Sequence, residues 1–173
     1  MVLIFLAAAC LKPTPPLETG AGRTVVVVNL LDAPTDAPAT DTPERLDRAV
    51  LDAVSTRKLV PRLLEAAADL APAQTSRETA PRLRALAAAA GDNAVLLVET
   101  RPVFYSELNG QYRWTVGVVV SLEGPGAPAA RSFDVPVFLQ YHHEREADAV
   151  DAAAPIVARK VGELLDGWLA GGG

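Results

Sequence analysis

The chain has 173 residues, half of them hydrophobic but only 5% aromatic, and its 16 basic and 21 acidic side chains leave a net charge of −5. That length suits one domain with a real core, and an acidic chain without a dense Lys/Arg cluster lacks the positive stripe that sequence-independent nucleic-acid binding needs. Among the basic residues only Lys12, Lys58 and Lys160 are lysines, which reflects a GC-rich genome rather than a function.

The chain opens on an apolar run, Met1-Val-Leu-Ile-Phe-Leu-Ala-Ala-Ala-Cys10, that contains its only cysteine. The run is too short to span a bilayer, which takes roughly 20 apolar residues, but matches the core and small-residue cleavage site of a secretory signal. It resembles the lipobox of bacterial lipoproteins. That resemblance implies a signal peptide over residues 1–9, cleavage after Ala9, and acylation of the Cys10 thiol. Small side chains at Ala7, Ala8 and Ala9 would let the peptidase approach the backbone. The alternative makes Val2 to Leu6 a core strand and Cys10 a buried small hydrophobe. The sequence Lys12-Pro13-Thr14-Pro15-Pro16 argues against a core strand running straight on. Residues 10–23, Pro- and Gly-rich, read as a lipidated cysteine and tether, with about 40 Å of reach if extended. No cysteine remains after Cys10, so an exported domain over 24–170 is held by its core without an internal disulfide.

Thr24 to Leu31 (TVVVVNLL) is a continuous β-branched run, the pattern of a strand buried on both faces. Asp32 to Thr40 reads as a loop. Asp41-Thr42-Pro43-Glu44 begins a helix with an N-cap hydroxyl or carboxylate, Pro in the first turn and an early acid. Its inner face is Leu46, Ala49, Val50, Ala53 and Val54. Leu59 to Leu64 fits a short strand or a turn into a helical piece reaching Leu70. Ser76 to Ala90 predicts a second helix with Leu83, Leu86, Ala87 and Ala90 inward and Gly91 at its stop. Three strands follow, at Ala94–Tyr105, Gln111–Leu122 and Ala130–Tyr141. The first two are joined through Asn109-Gly110, whose residues both tolerate positive φ. Tyr112, Trp114, Val116, Val118 and Val120 share one face of the middle strand; Phe133, Val135, Val137, Leu139 and Tyr141 share one face of the next. Asp148 to Leu169 predicts a closing helix with an apolar stripe of Ile156, Val157, Val161, Leu164, Leu165 and Trp168. Pro155 should kink it or begin its regular part.

The expected fold class is therefore α+β: a two-layer sandwich of order β-α-α-β-β-β-α, with a mostly antiparallel sheet and helices on one face. The opening TVVVVNL, the phrase GDNAVLLVETRPVF and the closing APIVARKVGELLDGWL are similar in pattern to three envelope families. These are the curli-secretion-channel lipoproteins, the penicillin-binding-protein activator lipoproteins and the TolB amino-terminal domain. A second resemblance is to auxiliary lipoproteins of lipid-transport systems. No functional residue carries over from either.

Tyr141-His142-His143-Glu144-Arg145-Glu146 gathers both histidines of the chain, but adjacent strand residues point to opposite faces, so it reads as a solvated junction and not a metal site. Ser106-Glu107 lacks a nucleophile-elbow context, and Gly20-Ala21-Gly22 precedes a strand where a dinucleotide fingerprint follows one. We expect no catalytic residue, metal or cofactor. Glu99, Arg101 and Arg113 read as cross-strand polar partners. Phe104, Tyr105, Tyr112 and Trp114 cluster around the Asn109-Gly110 hairpin, and this group fits either core filling or a partner-binding tip at Tyr105, Tyr112 and Trp114. The functional expectation is a non-enzymatic binding or assembly module of the cell envelope, held to the membrane by its acyl chains and bound to an envelope protein. Leu11 rather than Asp after the cysteine favours the periplasmic face of the outer membrane. The alternative is a carrier or sensor of a small lipid-like ligand, with a cavity lined by residues such as Val116 and Val118.

Overall fold

A computed structural model describes residues 22–32, 42–65, 67–71, 78–141 and 145–171. Ala9, Cys10, the residues N-terminal to Gly22, Asp41, Ser76 and His142 to Glu144 lie outside the described residues. The elements are β1 (Thr24–Leu31), α1 (Glu44–Ser55), β2 (Val60–Leu63), α2 (Ala67–Leu70), α3 (Thr79–Ala90), β3 (Ala94–Leu108), β4 (Gln111–Glu123), β5 (Ala129–Leu139) and α4 (Glu146–Ala170). The ambiguous stretch at 59–70 is both things in turn, a short strand and then one helical turn.

The five strands form one sheet in the order β2-β1-β3-β4-β5. β1 runs parallel to β2 and β3, whereas β3, β4 and β5 form an antiparallel meander. The α+β class holds, with a mixed sheet. The structure adds a layer to the expected sandwich. Val25, Val27 and Leu31 face a core shared with α1 and α4, while Val26, Val28 and Leu30 face a second core with α3. A strand that is apolar on both faces must be covered on both, so the expectation of helices on one face is corrected by α3, which takes the other.

Two prolines shape the edges of this sheet. Asp32 N–H donates to the Thr100 carbonyl at 2.8 Å, so Thr100 turns its backbone groups towards β1. By alternation Pro102 does too, and it has no N–H to offer. The β1–β3 ladder ends there, at the pairing of Leu31 with Thr100. Beyond it β3 continues as an edge. The same alternation through Thr115 opposite Pro136 puts Pro136 on the outer side of β5, a position that discourages further strand addition.

α1 buries Leu46, Val50 and Val54 as its periodicity predicts. Its start differs from expectation: Thr42 caps no backbone group but donates to Asp47 Oδ1 at 2.7 Å, as does Asn29 Nδ2 from β1 at 2.7 Å. α4 is longer than predicted and passes through Pro155 without ending. Its start is fixed by the Arg145 N–H donating to Asp148 Oδ2 at 2.7 Å. Ile156, expected in the stripe, is 38% exposed; the buried stripe instead includes Ala149, Val150, Ala153 and Ala154. These small side chains let α1 lie close. At the far end Arg57 donates from Nε and Nη2 to the two carboxylate oxygens of Asp166, each at 2.7 Å, and from Nη1 to the Ala53 carbonyl at 2.9 Å. Its guanidinium rests against Gly162, where a Cβ would sit 2.5 Å from Nη2.

Asp151 lies at the α1–α4 contact with its Oδ1 buried and unpartnered among the described residues. Burial pushes its carboxyl above the ordinary 3.8; Arg45 opposes this, and Asp148 and Glu44 add to it. A carboxyl raised in the folded state binds more protons folded than unfolded, so its contribution is favourable at low pH and is lost as pH rises through the folded value. Asp151→Asn is expected to stabilise the domain at pH 7, with the gain shrinking as pH falls towards 3.8. Urea melts of both forms between pH 4 and pH 8 check this; a gain that grows on acidification contradicts it. Asp166 behaves oppositely, because the Arg57 hydrogen bonds hold its carboxyl below the ordinary value.

Candidate interaction surface at the β3–β4 hairpin

The hairpin turn is built as its residues dictate, with Asn109 at φ 53° and Gly110 at φ 74°, the pair of positive values that a two-residue primed turn demands. Below it the register is regular up to Phe104 opposite Trp114, then shifts so that Ser106 faces Arg113 and Glu107 faces Tyr112. Tyr105 is the extra residue of this bulge, which turns its side chain out of the ladder. Tyr105 is 77% exposed.

The predicted aromatic group therefore divides. Trp114 is 9% exposed and belongs to the α1/α4-side core, with Tyr112 packed partly against it. Phe104 meets the Trp114 ring edge-on at 5.4 Å and Tyr112 at 6.4 Å, yet stays about half exposed. Trp114 is a pedestal, Phe104 and Tyr112 are steps, and Tyr105 is the outermost group. The cluster is divided between the core, which Trp114 fills, and the surface, where Tyr105 stands.

Sequence reasoning did not place Val103, Leu108, Phe138 and Tyr141 at the same end, and all four are about half exposed. Tyr141, expected to end the third strand of the meander, lies beyond the end of β5 at Leu139. The signal for Phe138 was available in its parity, since it alternates with the buried Val137 and Leu139. Val103 and Phe138 do not form one patch with Phe104: Phe104 stands on the α1/α4 side of the sheet beside Trp114, whereas Val103 and Phe138 stand on the α3 side.

The hairpin tip and the start of β1 lie at opposite poles. Val25 is level with Ala94, and β3 runs on to Leu108 at about 3.4 Å per residue. The tip therefore stands about 45 Å from the point where the chain enters the sheet. The other predicted sites fall elsewhere. Glu99 pairs not across the strands but with Arg82 of α3, in an ion pair buried beneath that helix. Arg101 is exposed, and the Arg113 guanidinium lies 6.0 Å from the centre of the Phe138 ring. Val116 and Val118 are packed in the core at 0% and 1% exposure, so the space a carrier would use between sheet and helices is filled there. A cleft of about 370 Å³ beside Gly91–Asn93 and another of about 270 Å³ between Ala129–Arg131 and the end of α4 are lined by neither residue.

No family model and no curated protein matches the chain. Solved structures that it resembles include a minor lipoprotein from Acinetobacter baumannii, 14% identical over 86% of this chain and 91% of that one, with a TM-score of 0.43. The lipoprotein GNA1162 from Neisseria meningitidis is 12% identical over 84% and 99%, with a TM-score of 0.37. The hypothetical protein CT253 from Chlamydia trachomatis is 16% identical over 86% and 98%, with a TM-score of 0.46. Bacterial lipoproteins thus stand among its structural neighbours, at a likeness that assigns neither a family nor a function.

Proposed function

We propose that the chain is a lipoprotein of the bacterial cell envelope, anchored through acylated Cys10, whose domain is a non-enzymatic module that docks an envelope protein. The observation that carries this reading is the exposed group of Phe104, Tyr105, Leu108 and Tyr141 at the hairpin end. Rigid aromatics on a buried Trp114 support are the side chains from which interface hot spots are built. The pole-to-pole arrangement lets the tether leave one end of the domain while the docking end points away from it. Leu11 after the cysteine favours the outer membrane's periplasmic face. Acyl chains at about 0.8 kcal/mol per buried methylene make such an anchor effectively permanent.

The test uses the full chain in its own envelope. Intact mass should show a mature protein beginning at acylated Cys10, and Cys10→Ala should release it from the membrane. A photo-crosslinking residue at position 105 should join the protein to one envelope protein, identified by mass spectrometry and absent when the probe sits at Asp52. Tyr105→Ser with Leu108→Ser should weaken that complex by about 2 kcal/mol or more, roughly thirtyfold. Unchanged membrane association of Cys10→Ala, or equal capture from positions 105 and 52, would sink the proposal.

A further inference from the structure

Charge is spread unevenly over the layer formed by α1 and α4. Arg23 and Lys58 flank the point where the chain enters the sheet. There the Gly22 N–H donates to the Lys58 carbonyl at 3.3 Å, and the Arg23 guanidinium lies 5.4 Å from the centre of the Trp168 ring. Lys58 is exposed at φ 60°, a backbone conformation in which a lysine is uncommon. α4 returns antiparallel to β5, so Glu163 meets Arg131 near the start of that strand, at the same end of the domain. Glu163 is shared by three cations: it accepts from Arg131 Nη1 at 2.7 Å, Arg159 Nη1 at 2.9 Å and Lys160 Nζ at 2.9 Å. Arg57 is a sixth cation, paired with Asp166. Against these six stand Glu163, Asp166 and the exposed Asp52 of α1. Glu123 and Asp92 lie at this end too, but beside the cleft on the α3 side of the sheet. The end of the layer is therefore positive in a chain of net charge −5.

The opposite end has the reverse sign. Glu44, Asp47, Glu146, Asp148 and Asp151 outnumber Arg45, Arg48 and Arg145 there. At about 1.5 Å per residue Asp151 is about 12 Å from Arg159 along α4, beyond the screening length of about 10 Å at 0.1 M salt. A surface laid against the positive end thus meets the local charge and not that of the whole chain.

We infer that this end lies against an anionic lipid bilayer, with α4 from Arg159 onward and the entry point at Arg23 and Lys58 facing the headgroups. Basic side chains held near such a surface each add to the attraction, and the effect fades within a screening length. The placement rests on the Cys10 anchor proposed above. Lys12 stands two residues from Cys10, and the chain preceding Gly22 emerges between Arg23 and Lys58, so the tether begins and ends at the bilayer. Contact there orients the domain and holds the hairpin tip, at the opposite pole, away from the membrane.

The test is flotation of the full chain carrying Cys10→Ala with vesicles of neutral phosphatidylcholine, or of that lipid with one third phosphatidylglycerol. No acyl chain is present, so the outcome is independent of the anchor, which intact mass decides separately. The apolar start is common to every protein compared, and only the ratio of binding between the two vesicles is read. The parent chain should prefer the anionic vesicles about tenfold or more, and the preference should vanish as salt rises from about 0.1 M to about 1 M. Lys58→Glu with Arg159→Glu should abolish it. Arg101→Glu with Arg113→Glu makes the same change in net charge on the far half of the α3 side, and should keep it within about threefold. Circular dichroism is the folding control. No preference in the parent chain overturns the inference. So does an equal loss in the two double variants, which would leave net charge as the cause. A preference that survives K58E/R159E would belong to the residues preceding Gly22 and equally overturn it. Displacement by millimolar glycerol phosphate would make the cations around Glu163 a small-anion site, with the same result.

Discussion

Replacing Arg82 with Met is expected to cost about 3–5 kcal/mol of unfolding free energy, which lowers the melting temperature of a domain this size by about 10 °C. Arg82 and Glu99 form an ion pair with side chains only 6% and 10% exposed, under α3. Removing the arginine leaves the carboxylate in a nearly dry site with its second oxygen, Oε2, already lacking a partner among the described residues. The cost is that of a stranded charge and does not measure the worth of the pair. The double variant R82M/E99L should therefore recover most of the loss, since apolar groups of similar size fill the space without desolvating a charge. Urea denaturation of the three variants decides it: a single variant within 1 kcal/mol of wild type, or a double variant no better than the single, would show that the pair is solvated.

Trp114→Ala should destabilise the domain by a similar amount, about 3–5 kcal/mol, although it sits in the group read as a partner-binding tip. Its side chain fills the distal end of the α1/α4-side core and supports Phe104 edge-on. Its Nε1 is buried without an acceptor among the described residues, so Trp114→Phe keeps most of the packing, removes an unsatisfied donor, and should cost far less than the alanine. Tyr105→Ala, on the same hairpin, should stay within about 0.5 kcal/mol. Thermal melts of the three variants separate the pedestal from the surface group. A Tyr105→Ala loss comparable to that of Trp114→Ala would falsify the division.

These contrasts show which parts of the molecule were legible beforehand. The meander was, because period-two alternation and the Asn109-Gly110 pair carry their own geometry. β1 was too, since an unbroken β-branched run has no polar face to show to water. The helix periodicity of α1 placed Leu46, Val50 and Val54 correctly. The tip was half legible. Its aromatics stood out in composition, but parity alone could not separate Trp114 from Tyr105, because the bulge at Tyr105 has no local signature in the sequence.

What the sequence by itself determined is local: which segments are strands or helices, where the hairpin turns, and the apolar start ending at Cys10 that carries the anchor reading. Those properties follow from φ preferences, side-chain branching and hydrophobic period, all of which act over a few residues. What only the tertiary structure decided is which chains of contact close over distance. α3 crosses to the opposite face of the sheet and turns Arg82, an ordinary helix-surface residue in sequence, into the buried partner of Glu99. The β1 ladder stops at Pro102, and beyond it β3 runs on paired with β4 alone. Burial and pairing are set by which surfaces meet, and no window of sequence contains both sides of such a contact.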